Sequence, residues 1–449
     1  MNPAGMNPAG MKPAGMKPAG MNPAGMNPAA PGAPPSLGDV PWLADPATQR
    51  LLAALGADGE EARIVGGAVR NALIGEPVED IDIATTALPE EVMRRACAAG
   101  FKAVPTGVEH GTVTVVADGR PFEVTTLRRD VATDGRRAEV AFGRDWDVDA
   151  RRRDFTMNAL YVDAGGTLFD PVGGYGDCLA RRVRFIGDPD RRIAEDYLRI
   201  LRFFRFCARY GRGELDGDGL AAAVRGRAGL GRLSAERIAA EMTKLVTACS
   251  AATVMPALSE TGLLGRVLGG IGLPARFARV SALVPARSAA RRLPPALGFV
   301  ALGVLVAEDV DRLADRLKLA NALRGAMAAL VGAQAALGVG KAGLAPVDAP
   351  AVRRLVHGFG ADAAEGALLL AAADCGCDAD AEHLAALLAV ARGWQAPSFP
   401  VSGADLAALG IPPGRGMGER LAALKSAWIA SDFTLDKAAL IARVENPPG

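Results

Sequence analysis

Residues 63–83 read Arg-Ile-Val-Gly-Gly-Ala-Val-Arg-Asn-Ala-Leu-Ile-Gly-Glu-Pro-Val-Glu-Asp-Ile-Asp-Ile. The apolar residues before Gly66-Gly67 predict a short strand, and those after it predict a helix that starts directly behind the turn. The last four residues alternate acid and isoleucine, which predicts a second strand with Asp80 and Asp82 on one face. This order of elements predicts a mixed α/β domain.

The two aspartates are candidate metal ligands. Two carboxylates on one strand face lie about 6–7 Å apart and can share divalent ions, and Mg²⁺ prefers oxygen ligands together with substrate phosphates. A two-metal site needs a third carboxylate. Glu123 is the candidate, because Phe122 and Val124 beside it would face the core. An Asp-x-Asp strand alone is more often a solvated face, but the preceding glycines and Glu123 favour a site with Asp80, Asp82 and Glu123 as catalytic ligands.

The glycine turn is a candidate phosphate-binding element. Gly66 and Gly67 have no side chain to keep a phosphate away from the backbone N–H groups, and a helix N-terminus favours an anion. Arg70 would add a charged fork to a triphosphate.

The remaining chain divides by pattern. Two hairpins are predicted at Asp118-Gly119 and Gly165-Gly166, and residues 42–55 and everything after 191 have helical spacing. We therefore expect a disordered tail over 1–37, a mixed α/β head over 38–188, a helical neck over 189–265 and a helical body and tail over 266–449. The tail begins with six tandem pentapeptides in which Pro and Gly recur, a composition that disfavours helix and strand.

Composition excludes several classes of protein. The six cysteines are scattered and the three histidines are isolated, so a disulfide framework, a zinc site and a metal-dependent phosphohydrolase domain are excluded. A reducing cytoplasm is the simplest compartment. The longest apolar stretch, 296–307, is too short to span a membrane, and no signal peptide is evident. The net charge is +1, so a nucleic-acid surface requires local clustering of charge.

Four motifs together resemble a known family. They are residues 66–70, residues 80–82, the run Arg-Arg-Asp-Phe-Thr-Met-Asn-Ala-Leu at 152–160, and Glu-Asp-Tyr-Leu-Arg at 195–199. In order and spacing they are similar to those of class II tRNA nucleotidyltransferases, the bacterial CCA-adding enzymes and poly(A) polymerase relatives of the polymerase β superfamily. The match covers about residues 60–270. It implies an α/β nucleotidyltransferase head with a small mixed β-sheet, followed by an all-helical neck, body and tail.

The resemblance also implies roles in nucleotide binding. Arg153 would bind the nucleotide and Asp154 the ribose 2′-OH. Asp196 and Arg199 would form an amino-acid template for the base, with Arg202 and Arg205 holding the nucleotide. Without the resemblance, these residues would be assigned to surface salt bridges. The spacing of residues 195–205 predicts that they lie on one helix.

Three further segments bear on the resemblance. Residues 234–241 resemble the next motif, in which a Ser N-cap braces the template helix. Residues 128–139 form a polar segment with an Asp-Gly turn, expected to be a loop, and the family uses a flexible loop here for A addition. Asn71 stands where the family has Asp, so a salt bridge made by that residue is lost.

The resemblance implies template-independent, Mg²⁺-dependent addition of CCA to tRNA 3′ ends from CTP and ATP, with tRNA as the partner and no protein partner evident. Poly(A) polymerase activity and A-only addition remain open, since the catalytic motifs are shared. A non-catalytic RNA-binding protein is the alternative of a different class, and it predicts loss of at least one metal carboxylate.

Overall fold

The computed structural model describes residues 35–134, 137–284, 292–339, 343–375 and 381–445. The pentapeptide repeats and Cys377 lie outside these residues. The described chain forms two compact units. One, here called the head unit, comprises 35–129, 140–153 and 157–179, and the other, the helical unit, comprises 130–139, 154–156 and 180–445. The four-part division predicted from the sequence stays a prediction.

A seven-stranded mixed sheet forms the centre of the head unit, in the order β3-β4-β5-β2-β1-β8-β9. The strands are β1 (Ala62–Val65), β2 (Asp82–Thr85), β3 (Lys102–Gly107), β4 (Thr112–Ala117), β5 (Arg120–Thr126), β8 (Tyr161–Val162) and β9 (Leu168–Phe169). β2 and β5 are parallel, and the other neighbouring pairs are antiparallel. The predicted mixed α/β fold of the head is confirmed.

Both predicted hairpins form. In the first, Asp118 and Gly119 have φ values of 48° and 79°, and two consecutive positive values match the right-handed twist of the flanking strands. Val113 and Val124, which lie on these strands, are fully buried. The second hairpin joins β8 and β9, which pair antiparallel.

Two local predictions for the head are wrong, one for the start of a strand and one for a loop. β2 begins at Asp82, so the exposed Asp80 precedes the strand. The reason is that β1 ends opposite it, with Val65 paired to Asp82 directly before the Gly66 turn. The segment predicted as a loop instead contains a separate two-stranded ribbon of β6 (Arg128–Asp134) and β7 (Arg137–Phe142). The Asp-Gly dipeptide there is a hairpin signal as well as a loop signal.

Six helices flank the sheet of the head unit: α1 (Pro41–Ala44), α2 (Pro46–Leu55), α3 (Gly67–Leu73), α4 (Pro89–Ala98), α5 (Trp146–Arg151) and α6 (Gly174–Leu179). The single helix predicted over 42–55 is broken at Asp45, because the residue before Pro46 is biased toward extended backbone. The Asp45 carboxylate caps α2 by accepting from the Thr48 N–H at 3.0 Å.

Between residues 189 and 445, the elements of the described residues are helices and one 3-10 segment. The helices are α7 (Pro189–Glu195), α8 (Leu198–Tyr210), α9 (Gly217–Gly226), α10 (Ala235–Val246), α11 (Ala251–Glu260), α12 (Leu263–Leu268), α13 (Pro274–Leu283), α14 (Pro295–Gly303), α15 (Glu308–Leu317), α16 (Asn321–Leu337), α17 (Ala349–Phe359), α18 (Ala361–Asp374), α19 (Ala381–Gly393), α20 (Gly403–Ala408), α21 (Arg415–Ala430) and α22 (Lys437–Glu445). Among the described residues, no helix combines the length and apolar character needed to cross a membrane.

Gly166 gives a direct test of packing in the head unit. Its φ is 84°, and an added Cβ would lie 2.0 Å from the Gly38 backbone nitrogen. Gly166→Ala is therefore expected to lower the free energy of unfolding by about 3 kcal/mol, since backbone strain and a backbone clash act together. Gly100 is the matched control, because it also has positive φ but nothing within 4 Å of the added carbon. Urea denaturation of both variants checks this, and equal losses would contradict it.

Candidate functional site

The carboxylates of Asp82 and Glu123 lie at facing positions of two neighbouring strands. Asp82 pairs with Glu123 in the parallel register of β2 and β5, and neighbouring strands are about 4.8 Å apart. Glu123 is exposed while Phe122 and Val124 beside it are buried. The predicted proximity of Asp82 and Glu123 is therefore confirmed, and Asp80 stands two residues before Asp82 at the strand entry.

The nearby carboxylates and burial affect the pKa of Asp82. Burial, the Glu123 carboxylate and the Asp80 carboxylate raise the pKa of Asp82 to about 6, against an ordinary value of 3.8, with Arg153 and Arg70 acting in the opposite direction. A carboxylate whose charge is disfavoured in this way is suited to binding a cation.

The raised pKa gives a pH-dependent prediction. Because the folded protein binds a proton at Asp82 that the unfolded chain releases near pH 4, this group favours folding at low pH and loses that contribution as pH rises through 6. In EDTA at pH 7, Asp82→Asn is therefore expected to be more stable than the wild type by about 2 kcal/mol. Denaturation of both proteins between pH 4 and pH 7 measures the difference, which should grow with pH. An unchanging difference would contradict the assignment.

Asp80, Asp82 and Glu123 are suited to binding Mg²⁺ together with a substrate. Among the described residues, no group of three or more His, Cys, Asp or Glu side chains stands ready to hold an ion. Mg²⁺ is usually bound by one or two carboxylates together with waters and substrate phosphates. Asp82 and Glu123, with Asp80 nearby, match that mode, in which the triphosphate completes the coordination.

The Gly66 turn lies beside Asp82 in the sheet, because Val65, directly before the turn, pairs with Asp82. Gly66 has a φ of 72°, and α3 starts at the next residue. The Arg70 side chain is buried and donates to the Asn158 Oδ1 and, at 3.0 and 3.1 Å, to the Asn71 Oδ1. Asn71 thus accepts from Arg70 as a neutral amide, and its Nδ2 donates to the Pro77 carbonyl at 2.7 Å. The triphosphate contact of Arg70 stays a prediction.

Arg153 lies close to the same turn. Its Nη1 is 3.9 Å from the position that a Cβ on Gly66 would occupy. Its Nη2 donates to Asp149 at 3.0 Å, and its Nε donates to the Tyr161 hydroxyl at 3.1 Å. Asp149 and Tyr161 were missed by the sequence analysis. The spacing of Asp149, three and four residues before Arg152 and Arg153, was the available signal.

In the helical unit, Asp154 is paired with Arg202. The Asp154 Oδ2 accepts from Arg202 Nε at 2.9 Å and Nη2 at 2.5 Å. Burial opposes the charge of Arg202, but the Asp154 carboxylate, together with those of Glu241 and Asp196, outweighs it and raises the pKa of Arg202. The structure thus brings together two of the residues predicted to hold the nucleotide.

The prediction that Asp196 and Arg199 share one helix is wrong, because Asp196 lies before the start of α8. Its backbone is extended, with φ −153° and ψ 107°, and it separates α7 from α8. The Asp196 Oδ1 accepts from the Leu198 N–H at 3.1 Å, so this side chain supports the start of α8. Its Oδ2 accepts from Arg237 Nη2 at 2.7 Å.

The neighbouring arginines are also held by acids. Arg199 donates to Glu195 at 2.6 Å and to the Arg192 carbonyl at 2.7 Å. Arg205 donates at 2.5 Å to the buried Glu241 of α10. Ser234 caps α10, so the predicted bracing of α8 and of its start by residues 234–241 is confirmed through Arg237 and Glu241.

Comparison with known proteins identifies the family. The poly A polymerase head domain matches residues 62–184. Mouse mitochondrial CCA tRNA nucleotidyltransferase 1 is 35% identical over 86% of this chain and 87% of its own length. The predicted cytoplasmic compartment therefore stays a prediction.

Solved structures agree with this. The Bacillus stearothermophilus CCA-adding enzyme in complex with CTP has a TM-score of 0.69 and 31% identity, covering 89% of this chain and 97% of that one. The Thermotoga maritima enzyme complexed with tRNA has a TM-score of 0.64 at 19% identity, over 89% of this chain and 95% of that one, which shows the shared fold. This chain belongs to the tRNA nucleotidyltransferases of the polymerase β superfamily.

Proposed function

We propose that this protein adds C, C and A to the 3′ end of tRNA, using CTP and ATP without a nucleic-acid template. The observation that carries the proposal is the pairing of Asp82 with Glu123 on parallel strands next to the Gly66 turn. Relatives similar over most of the chain are named for this activity, and one solved relative binds CTP.

The reaction is an in-line substitution at phosphorus. The RNA 3′-OH releases its proton to solvent, and its oxygen attacks the α-phosphorus of CTP or ATP. A new phosphodiester bond forms, and the bond between the α-phosphorus and the oxygen that bridges the α- and β-phosphates breaks as pyrophosphate leaves. Two Mg²⁺ ions bound at Asp80, Asp82 and Glu123 would lower the pKa of the 3′-OH and neutralise charge on the triphosphate.

The protein's own residues orient the nucleotide. Arg153 lies near the Gly66 turn, where the phosphates can approach the backbone closely. The Asp154 carboxylate accepts a hydrogen bond from the ribose 2′-OH, and a deoxynucleotide leaves that acceptor unpaired. Asp196 and Arg199 offer acceptors and donors to the base edge, in the pattern that C and A match.

The stepwise test uses tRNA transcripts that end before the CCA sequence, after C and after CC. We expect CTP to extend only the first two, and ATP to extend only the third. Extension of the first transcript by ATP would contradict CCA addition.

Poly(A) addition is the second candidate, because the head domain that matches is shared with poly(A) polymerases. It predicts long products from ATP alone on an RNA unrelated to tRNA. CCA addition predicts that this RNA is not extended.

A further inference from the structure

Asp149 is a buried acid to which the proposed mechanism gives no role. It lies on α5 of the head unit with 1% of its side chain exposed. A carboxylate at this depth is strongly disfavoured unless it is paired and hydrogen-bonded. Its partners show what it does.

The two carboxylate oxygens of Asp149 accept hydrogen bonds from three side chains. Oδ1 accepts from Arg152, with Nε at 2.7 Å and Nη2 at 2.6 Å. Oδ2 accepts from Arg153, with Nη2 at 3.0 Å and Nε at 3.2 Å, and from the Tyr161 hydroxyl at 2.8 Å. The carboxylate therefore fixes two guanidinium planes at once.

The Tyr161 hydroxyl completes the arrangement around Arg153. It donates to Asp149 and accepts from Arg153 Nε at 3.1 Å. Burial raises the pKa of Tyr161, so the donor proton is retained. Burial also opposes the charge on Asp149, but Arg153 and Arg152 outweigh it and lower the pKa of Asp149, so the acceptor stays ionised.

The Arg153 guanidinium is oriented toward the Gly66 turn. With Nε and Nη2 held from behind, Nη1 lies 3.9 Å from the Cβ position of Gly66. A guanidinium that is already oriented loses less entropy on binding a phosphate.

We propose that Asp149, assisted by Tyr161, is a positioning residue that holds the Arg153 guanidinium toward the Gly66 turn, where it meets the phosphates of the incoming nucleoside triphosphate. The inference rests on the proposed function, since it assumes that the head unit binds this substrate. The competing explanation is a buried ion-pair cluster that only supports the fold.

Equilibrium binding of CTP and of CMP to the full-length protein in Mg²⁺ separates the two explanations. Asp149→Asn keeps the shape but loses the charge, and we expect it to weaken CTP binding about 30-fold, while CMP binding changes by about 3-fold or less. Tyr161→Phe leaves the carboxylate in place and should weaken CTP binding about 3-fold. Asp147→Asn, at an exposed acid on the same helix, is the matched control and should bind CTP as the wild type does.

A double-mutant cycle gives the sharper test. If Asp149 acts through Arg153, then Asp149→Asn should weaken CTP binding about 2-fold or less in an Arg153→Gln background. Additive losses, equal losses for CTP and CMP, or unchanged CTP binding by Asp149→Asn would each overturn the proposal. Failure of the proposed function appears separately, as CTP binding by the wild type without any addition to tRNA.

Discussion

Asp82→Ala is expected to abolish nucleotide addition, with kcat lowered about 10³-fold or more. Asp82 faces Glu123 on a neighbouring parallel strand. Removing it would take away one of the carboxylates proposed to hold Mg²⁺, whose charge stabilisation would amount to several kcal/mol. The variant should fold at least as stably as the wild type, because burial raises the pKa of Asp82 and its charged form therefore does not favour the folded state.

Single-turnover incorporation of CTP, together with a filter-binding assay for tRNA, measures this effect. Glu79→Ala is the control, since Glu79 is an exposed acid three residues away and should keep full activity. Asp80→Ala should resemble Asp82→Ala while sparing tRNA binding. If either variant kept more than a tenth of the wild-type rate, the metal site would be assigned wrongly, and a non-catalytic head would gain support.

The second large effect concerns the choice of base. Asp196→Ala and Arg199→Ala are each expected to lower kcat/KM for CTP and ATP about 100-fold, the value of one hydrogen bond to a charged group. The loss should be smaller for UTP and GTP, so that the preference for C and A narrows, because the rejected bases do not rely on the same donors and acceptors.

The cause of that effect can be separated from the support of α8. Asp196 also accepts from Arg237 and from the Leu198 N–H, so Asp196→Asn, which keeps an acceptor for the backbone, accompanies Asp196→Ala. Asp218→Asn, at an exposed acid of α9, is the control. An equal fall for all four nucleotides would contradict the template role.

The sequence predicted the structure of the head well where the pattern within a single strand determines it. Alternation in β2 and β5 placed Asp82 and Glu123 on one face, and the parallel register confirms that they meet. The exact start of β2 was not predictable from its own residues, because it depends on where β1 ends at the Gly66 turn.

Other features depended on contacts far apart in the chain. The break at Asp196 follows from its extended backbone, a conformation that a helical pattern on both sides conceals. The pairing of Arg205 with Glu241, 36 residues later, requires α10 to lie beside α8. The helical spacing of Asp149 and Arg153 was visible, but the Tyr161 hydroxyl that joins them comes from β8.

The most direct test of the proposed function is incorporation into a tRNA transcript that lacks its 3′ CCA end, with Mg²⁺, CTP and ATP together, resolved at single-nucleotide length. We predict three additions, C, C and A, after which the product no longer grows. A continuing ladder of A residues, or no incorporation at all, would contradict the assignment of this protein as a CCA-adding enzyme.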